Sequence, residues 1–399
     1  MNLSTRVNSI SPSLTLTITA EAKEMEKNGE DVINLAAGEP DFDTPYFIKE
    51  ETKKALDDGF TRYTPSSGIK ELKEAICKKY KEEHNLKYLS SQVIVSCGAK
   101  HAIFNAILTL VDKKDEVIIP SPFWVSYPEM VKIAQGTPVI VKTKEENNFK
   151  ITPQDLEKAI TKKTKLLILN TPSNPSGSVY KKEELKEIAK ILTKYNIFCL
   201  FDEIYEKIIY DTAHINIASF SEKMKKLTII INGVSKTFSM TGFRIGWALA
   251  EENIIKAIAS IQSHSTSNPT SFSQKGAFFA LKSKRSKKII EKRVKEFKKR
   301  RDYLIEAINL IKGLSCLKPE GAFYIFVNIA YFLNKSYRER IIKNSLEFAK
   351  ILLEEKKLAV IPGIAFGEDN YIRISYAASL KNLKEGIKRL REFTEEIKN

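Results

Sequence analysis

Lys236 follows Ser235 where the apolar run 228–231 (TIII) gives way to NGVSK, and Arg244 stands a little further on in FRIG. Asp202 ends the run 198–201 (FCLF), and Tyr205 follows it in DEIYE. The run 166–169 (LLIL) leads into NTPSNPSG, where Asn174 precedes a proline. The run 93–95 (VIV) leads through Ser96 and Cys97 to Gly98, Ala99 and Lys100. Each residue alone has an ordinary explanation. Lysine and arginine fill 65 positions, so one lysine at a strand end is an ordinary surface charge. An aspartate there is usually a cap, and an asparagine between prolines a turn residue.

Together they describe one chemistry. A lysine amine held neutral by its surroundings condenses with an aldehyde. A carboxylate such as Asp202 keeps a ring nitrogen protonated, and Asn174 and Tyr205 can donate to a ring oxygen. A phosphate wants backbone N–H groups at a helix start, a hydroxyl and a guanidinium. Gly98, Ala99 and Lys100, then Ser235, then Arg244 supply these in turn, and Trp124 can stack on a ring. The set reads as a site for pyridoxal 5'-phosphate.

The elements that must position these residues follow from the pattern around them. Short apolar runs at 93–95, 116–119, 166–169, 198–201 and 228–231 alternate with amphipathic helical stretches such as 99–111 and 182–195. Alternation of this kind predicts a mostly parallel sheet covered by helices on both faces. All carboxyl ends of such a sheet share one edge, where ligands bind, so the chemically able residues should converge there. After about residue 300 the pattern changes, with strand-like 323–327, 358–361 and 371–375 and helices near 340–356 and 381–397. The expected organisation is an N-terminal segment 1–45 packing with a small C-terminal α+β unit 286–399, and a large cofactor-binding unit 46–285.

Composition bounds the function classes. The 399 residues are 43% hydrophobic and 29% charged, which excludes global disorder and coiled coil. No apolar run approaches the roughly 20 residues of a membrane span. The first residues lack the apolar core of a signal peptide, so a cytoplasmic location is expected. Four scattered cysteines and four histidines form no metal motif, and no metal is expected. The net charge is +16. Residues 281–301 hold 12 Lys or Arg against two Glu, with apolar residues near helical spacing. That stretch is expected to be one long helix with a solvated basic face rather than a nucleic-acid surface.

The motifs AAGEPDFDTP (36–45), YTPSSGIKELKEAI (63–76), PFWVSYPEM (122–130), NTPSNPSG (170–177), DEIYE (202–206), SKTFSMTGFRIGW (235–247), PEGAFY (319–324) and YIRISYA (371–377) span nearly the whole chain. In combination they resemble the class I aminotransferases, and specifically the bacterial aspartate aminotransferase branch, which has fold type I among pyridoxal phosphate enzymes. The resemblance implies that Lys236 binds the cofactor aldehyde and shuttles the substrate proton. It implies that Asp202, Tyr205 and Asn174 hold the ring, and Ser235 and Arg244 the phosphate. It assigns Arg373 and the Gly38 backbone to the substrate α-carboxylate, with Trp124 and Asn174 also touching substrate. Lys100 is the candidate for a distal carboxylate, and Ser13 and Thr15 belong to an N-terminal segment that closes over dicarboxylates. Tyr63 matches a tyrosine that reaches a neighbouring subunit's phosphate, so a homodimer with shared active sites is implied. The expected activity is reversible amino transfer from L-aspartate to 2-oxoglutarate. Alternatives are a bifunctional aspartate/prephenate enzyme, an aminotransferase for aromatic amino acids or alanine, or a lyase of the same fold.

Two positions depart from the pattern. Ala99 replaces a glycine, which a helix start tolerates if its φ is negative. Ser11 stands where relatives that accept prephenate tend to carry Lys or Arg.

Overall fold

The computed structural model describes residues 4–398. Its central sheet has seven strands. In spatial order they are Val93–Ser96, Gly246–Leu249, Thr228–Gly233, Phe198–Asp202, Thr164–Asn170, Glu116–Ser121 and Thr137–Lys142. The last five are mutually parallel, and Gly246–Leu249 runs antiparallel to both of its neighbours. The inner strands are buried on both faces, which is why they read as unbroken apolar runs. Alternate residues go to opposite cores. Val117, Ile119, Leu166, Ile168, Leu200 and Ile229 pack with the helix Ala99–Leu110 on one side. Ile118, Leu167, Leu169, Cys199 and Phe201 pack with the helix Lys182–Tyr195 on the other.

A second sheet, fully antiparallel, has the order Ile361–Pro362, Tyr371–Ser375, Tyr324–Asn328, Ser315–Cys316. The helix Leu380–Glu395 covers it through Leu383, Ile387, Leu390 and Phe393, a helical repeat that buries one stripe. Near the N-terminus, Ile33–Asn34 pairs in parallel with Leu358–Ala359. The helix Leu14–Lys27 buries Ile18 and Ala22 with Phe326, Leu353 and Ile361.

Several expected elements are redrawn. The run 358–361 is not one strand: Leu358–Ala359 joins the N-terminal pair, and Ile361–Pro362 joins the antiparallel sheet. The helix expected from 340 begins at Ser345, where the Asn344 side chain accepts from the Glu347 N–H. Arg340–Ile341 instead pairs with Ser336–Tyr337.

The basic stretch is broken. Lys282 ends the helix Ser271–Lys282, and a new helix runs from Arg285 to Asn309. Its basic face is only partly solvated. Arg300 and Arg301 are buried. Arg300 Nη1 donates to both Asp41 carboxylate oxygens, at 2.8 and 2.9 Å. Arg301 binds Asp211, Asp302 and the Pro319 carbonyl. Arg293 donates to Ser239 Oγ and the Asp43 carbonyl.

Candidate active site

The carboxyl ends of the parallel strands open into a cavity of about 410 Å³. Its wall includes Gly38, Ala99, Lys100, Trp124, Asn174, Asp202, Tyr205, Ser235, Lys236, Arg244 and Arg373, together with Ser13 and Thr15. All but two of the candidate site residues therefore meet in one place.

Lys236 follows the strand Thr228–Gly233, and its Nζ donates to the Gly38 carbonyl at 2.6 Å. The amine opens onto the cavity, yet protein surrounds it on every other side. Burial first, then the Arg373 and Arg244 guanidiniums, lower its pKa to about 8, with Glu39 opposing.

Asp202 ends the strand Phe198–Asp202 and is buried. Tyr127 Oη donates to one carboxylate oxygen at 2.6 Å, and the Ile204 N–H donates to the other at 3.1 Å. Burial raises its pKa to about 6 against these two hydrogen bonds. No lysine, arginine or histidine lies in ion-pair contact with it among the described residues. A carboxylate buried this way calls for a cationic or N–H partner from the cavity.

Arg373 lies in the antiparallel sheet, on Tyr371–Ser375, and reaches across to the parallel one. Nη1 donates to Asn174 Oδ1 at 3.0 Å and Nη2 to the Ala36 carbonyl at 2.6 Å. Its Nε is buried without a partner. The guanidinium lies over the Tyr324 ring, 4.4 Å from its centre. Its positive charge is thus buried with only neutral acceptors, which suits an incoming carboxylate. Burial lowers its pKa from the usual value.

Tyr205 Oη shares a hydrogen bond with Tyr324 Oη at 2.9 Å. Asn174 is set by its own backbone: its N–H donates to Asn170 Oδ1 at 2.8 Å. The Asn170 side chain also donates to the Asp202 carbonyl, at 3.1 Å, which ties two strand ends together.

At the opposite wall the helix Ala99–Leu110 begins. Gly98 caps it with φ +86°, a conformation that favours glycine, and an added Cβ would stand 2.6 Å from Arg244 Nη2. The Arg244 guanidinium is therefore drawn tight against a helix N-terminus, a cradle suited to a phosphate. Gly246 allows equally close approach, since a Cβ there would meet the Ala99 nitrogen. Ala99 itself is the first helical residue and has no left-handed φ, so the missing glycine costs nothing visible.

Lys100 Nζ sits 4.9 Å from the centre of the Trp124 ring. Burial around the amine and then Arg244 lower its pKa. Ser13 Oγ and Thr15 Oγ1 hydrogen-bond to each other at 2.9 Å at the cavity mouth. The backbone N–H of Ser11 donates to Glu129, so a carboxylate rather than a cation stands beside that position.

Two candidates stand apart from the cavity wall. Gly98 lies behind Arg244, as described, and Tyr63 is 90% exposed on the outer surface of the chain. Among the wall residues that the sequence did not single out are Glu39, Tyr127, Asn170 and Tyr324. Tyr127 and Tyr324 lie inside recognised motifs, yet buried tyrosines read as packing until a partner is seen.

Comparison with known proteins agrees with this geometry. The family model for "Aminotransferase class I and II" matches residues 30–390. An aspartate aminotransferase of Bacillus subtilis (strain 168) is 47% identical over 396 residues, 99% of each chain. A probable aspartate/prephenate aminotransferase of Aquifex aeolicus (strain VF5) is 44% identical, again over 99% of each. Among solved structures, the aspartate aminotransferase of Rhizobium meliloti superposes with a TM-score of 0.95 at 39% identity, covering all of both chains. That of Thermus thermophilus with maleate gives 0.93 at 38% identity, over 98% of this chain and 100% of the other. A strand-end lysine facing a buried aspartate and a buried arginine, on a fold matched from end to end, places this chain in the class I and II aminotransferase family.

Proposed function

We propose that the chain is a pyridoxal-phosphate-dependent aspartate aminotransferase, exchanging amino groups between L-aspartate and 2-oxoglutarate in two half-reactions. The observation that carries this reading is the meeting of Lys236, Asp202 and Arg373 in one cavity. Each has its charge or lone pair left without the partner it needs.

The residues present fit the cofactor. Asp202 would face the ring nitrogen, Tyr205 and Asn174 the ring oxygen, and Ser235, Arg244 and the N-terminus of Ala99–Leu110 the phosphate. When bound, pyridoxal phosphate supplies an aldehyde for the amino group and an electron sink for the substrate carbanion. Lys236 contributes a neutral amine at moderate pH, because burial disfavours its ammonium. With the cofactor held there, Lys236 Nζ would serve as the proton shuttle at the substrate α-carbon. Arg373 grips the α-carboxylate with its planar fork, which fixes the α-carbon within reach of Nζ. Lys100 offers a second cation for a distal carboxylate. The Thermus thermophilus relative was solved with maleate, itself a dicarboxylate. Ser13 and Thr15 stand where they can close over the mouth and exclude water.

Tyr63 supports a homodimer in which each chain completes the other's phosphate site, since it is exposed and its hydroxyl finds no hydrogen-bond partner among the described residues. A bifunctional aspartate/prephenate activity is the second reading, favoured by relatives such as those of Aquifex aeolicus and Rickettsia felis that are named probable aspartate/prephenate aminotransferases.

The deciding experiment follows the visible cofactor absorbance of the purified holoenzyme on addition of L-aspartate without any oxo acid. The band should vanish and return on adding 2-oxoglutarate. A band untouched by aspartate but bleached by alanine, phenylalanine or arogenate would reject the substrate. A protein that never takes up the cofactor would reject the whole reading.

A further inference from the structure

The turn that follows the strand Phe198–Asp202 has two sides. Asp202, Ile204 and Tyr205 line the cavity. Glu203 and Glu206 do not; both are buried behind the turn. Glu203 accepts from Tyr80 Oη, from Asn216 Nδ2 at 2.8 Å, and contacts His214 Nε2 at 2.6 Å. Asn232 Nδ2 lies 3.4 Å from both Glu203 and Tyr80 Oη. Glu206 holds the Lys79 ammonium and meets His84 Nε2 at 3.3 Å.

These partners come from three elements. Lys79, Tyr80 and His84 belong to the helix Lys70–His84, His214 and Asn216 to the segment after the turn, and Asn232 to the end of Thr228–Gly233. That last strand leads directly to Ser235 and Lys236. The cluster is not a metal site, because the Lys79 ammonium already lies against Glu206 and Glu83. Nor is it needed for stability alone. A buried ionic group replaced by apolar side chains of the same volume is often as stable or more so. What hydrogen bonds add, and packing does not, is a single position for the carboxylate.

Taking the functional reading above as its basis, we propose that Glu203 is a positioning residue for amino transfer. By fastening the turn to Lys70–His84 and to the neighbouring strand end, it sets where Asp202 and Tyr205 stand relative to Lys236. It touches neither substrate nor cofactor. Its effect should therefore fall on the chemical step and leave the Arg373 side of the site alone.

The test is Glu203→Gln, which keeps length and volume but loses the charge and one acceptor. Wild type and variant are compared as holoenzymes in steady-state kinetics, and as cofactor-free proteins in amide hydrogen exchange. The expected result is a fall in kcat of at least about tenfold, as small displacements of reacting groups produce. KM for the amino donor should stay within about twofold, because its carboxylate grip is intact. In the cofactor-free variant the Glu206 and Ile208 amides, which bond to the Glu203 and Tyr205 carbonyls, should exchange faster. Unchanged kcat with any loss of melting temperature would overturn the proposal, as would a raised KM with kcat intact. Should Glu203→Gln not fold, Tyr80→Phe removes one donor and is judged by the same two readouts. A wild-type holoenzyme inactive with every donor would instead overturn the functional reading. The exchange comparison would then still decide whether Glu203 holds the turn.

Discussion

At the scale of single residues, the proposed chemistry turns on the charge state of Lys236. With a pKa near 8, about 10% of the amine is neutral at pH 7, against about 0.03% for an ordinary lysine. Cofactor uptake by the cofactor-free protein should therefore speed up about tenfold per pH unit up to roughly pH 8, then level off. Stopped-flow absorbance measures this directly, and a flat profile between pH 6 and 9 would contradict the assignment. Lys236→Ala should lower the aspartate half-reaction at least about a thousandfold, the scale of a lost proton-transfer group. Asp202 behaves in the opposite sense. Its folded pKa of about 6 exceeds the ordinary 3.8, so its contribution to stability is present below pH 3.8. That contribution is lost as pH rises through about 6. Tyr127→Phe removes a hydrogen bond that favours the carboxylate form and should move the Asp202 titration higher still. Carboxyl-carbon NMR of the cofactor-free protein reads that shift, and an unmoved titration would remove Tyr127 from the account. Most of these residues were legible because each ends an apolar run. Tyr127, Tyr324 and Glu39 were not: a buried tyrosine looks like core, and a loop glutamate like surface.

At the scale of elements, the parallel strands announced themselves because both faces are covered. Thr137–Lys142, half-exposed at the sheet edge, carries the short run Val139, Ile140 and Val141, which was passed over. Gly246–Leu249 was hidden because its first two residues fall in a glycine-bearing motif and its four residues show no periodicity. The basic helix misled for a different reason. Lysine and arginine look alike in a charge count, but guanidiniums at 293, 300 and 301 find carboxylates and carbonyls on other segments, while most of the lysines stay in water. The two kinds should separate by mutation. Arg301→Ala, at a position 1% exposed, should cost about 2 kcal/mol through lost charge-assisted hydrogen bonds. Lys288→Ala, exposed on the same helix, should stay within about 0.5 kcal/mol. Urea midpoints compare them, and equal midpoints would return the whole stretch to the solvated face first expected.

At the scale of the molecule, the cavity lies on the seam between the two sheets, and Arg373 spans it to reach Asn174 and Ala36. Sequence pattern predicted both sheets and the edge where residues converge, since alternating strands and helices imply parallel strands whose carboxyl ends share one edge. It was blind to contacts across the seam, which depend on three-dimensional closure. If Tyr63 serves a second copy, light scattering should give twice 45.3 kDa, about 91 kDa. A mass of one chain would leave that tyrosine without the use proposed for it.

The pairing of Ile33–Asn34 with Leu358–Ala359 joins residues 325 positions apart in the chain. A ribosome adding about 5–20 residues per second takes roughly 16–65 s to cover that interval. Throughout that time the leading end of a nascent chain has no strand to lie beside, while the parallel sheet can already form behind it. The Ala36 carbonyl then waits for Arg373, which emerges later still. The order of birth thus makes the lysine side of the site early and the arginine side late. Truncated chains released before residue 358 would carry the amine and the aspartate without the grip for a carboxylate.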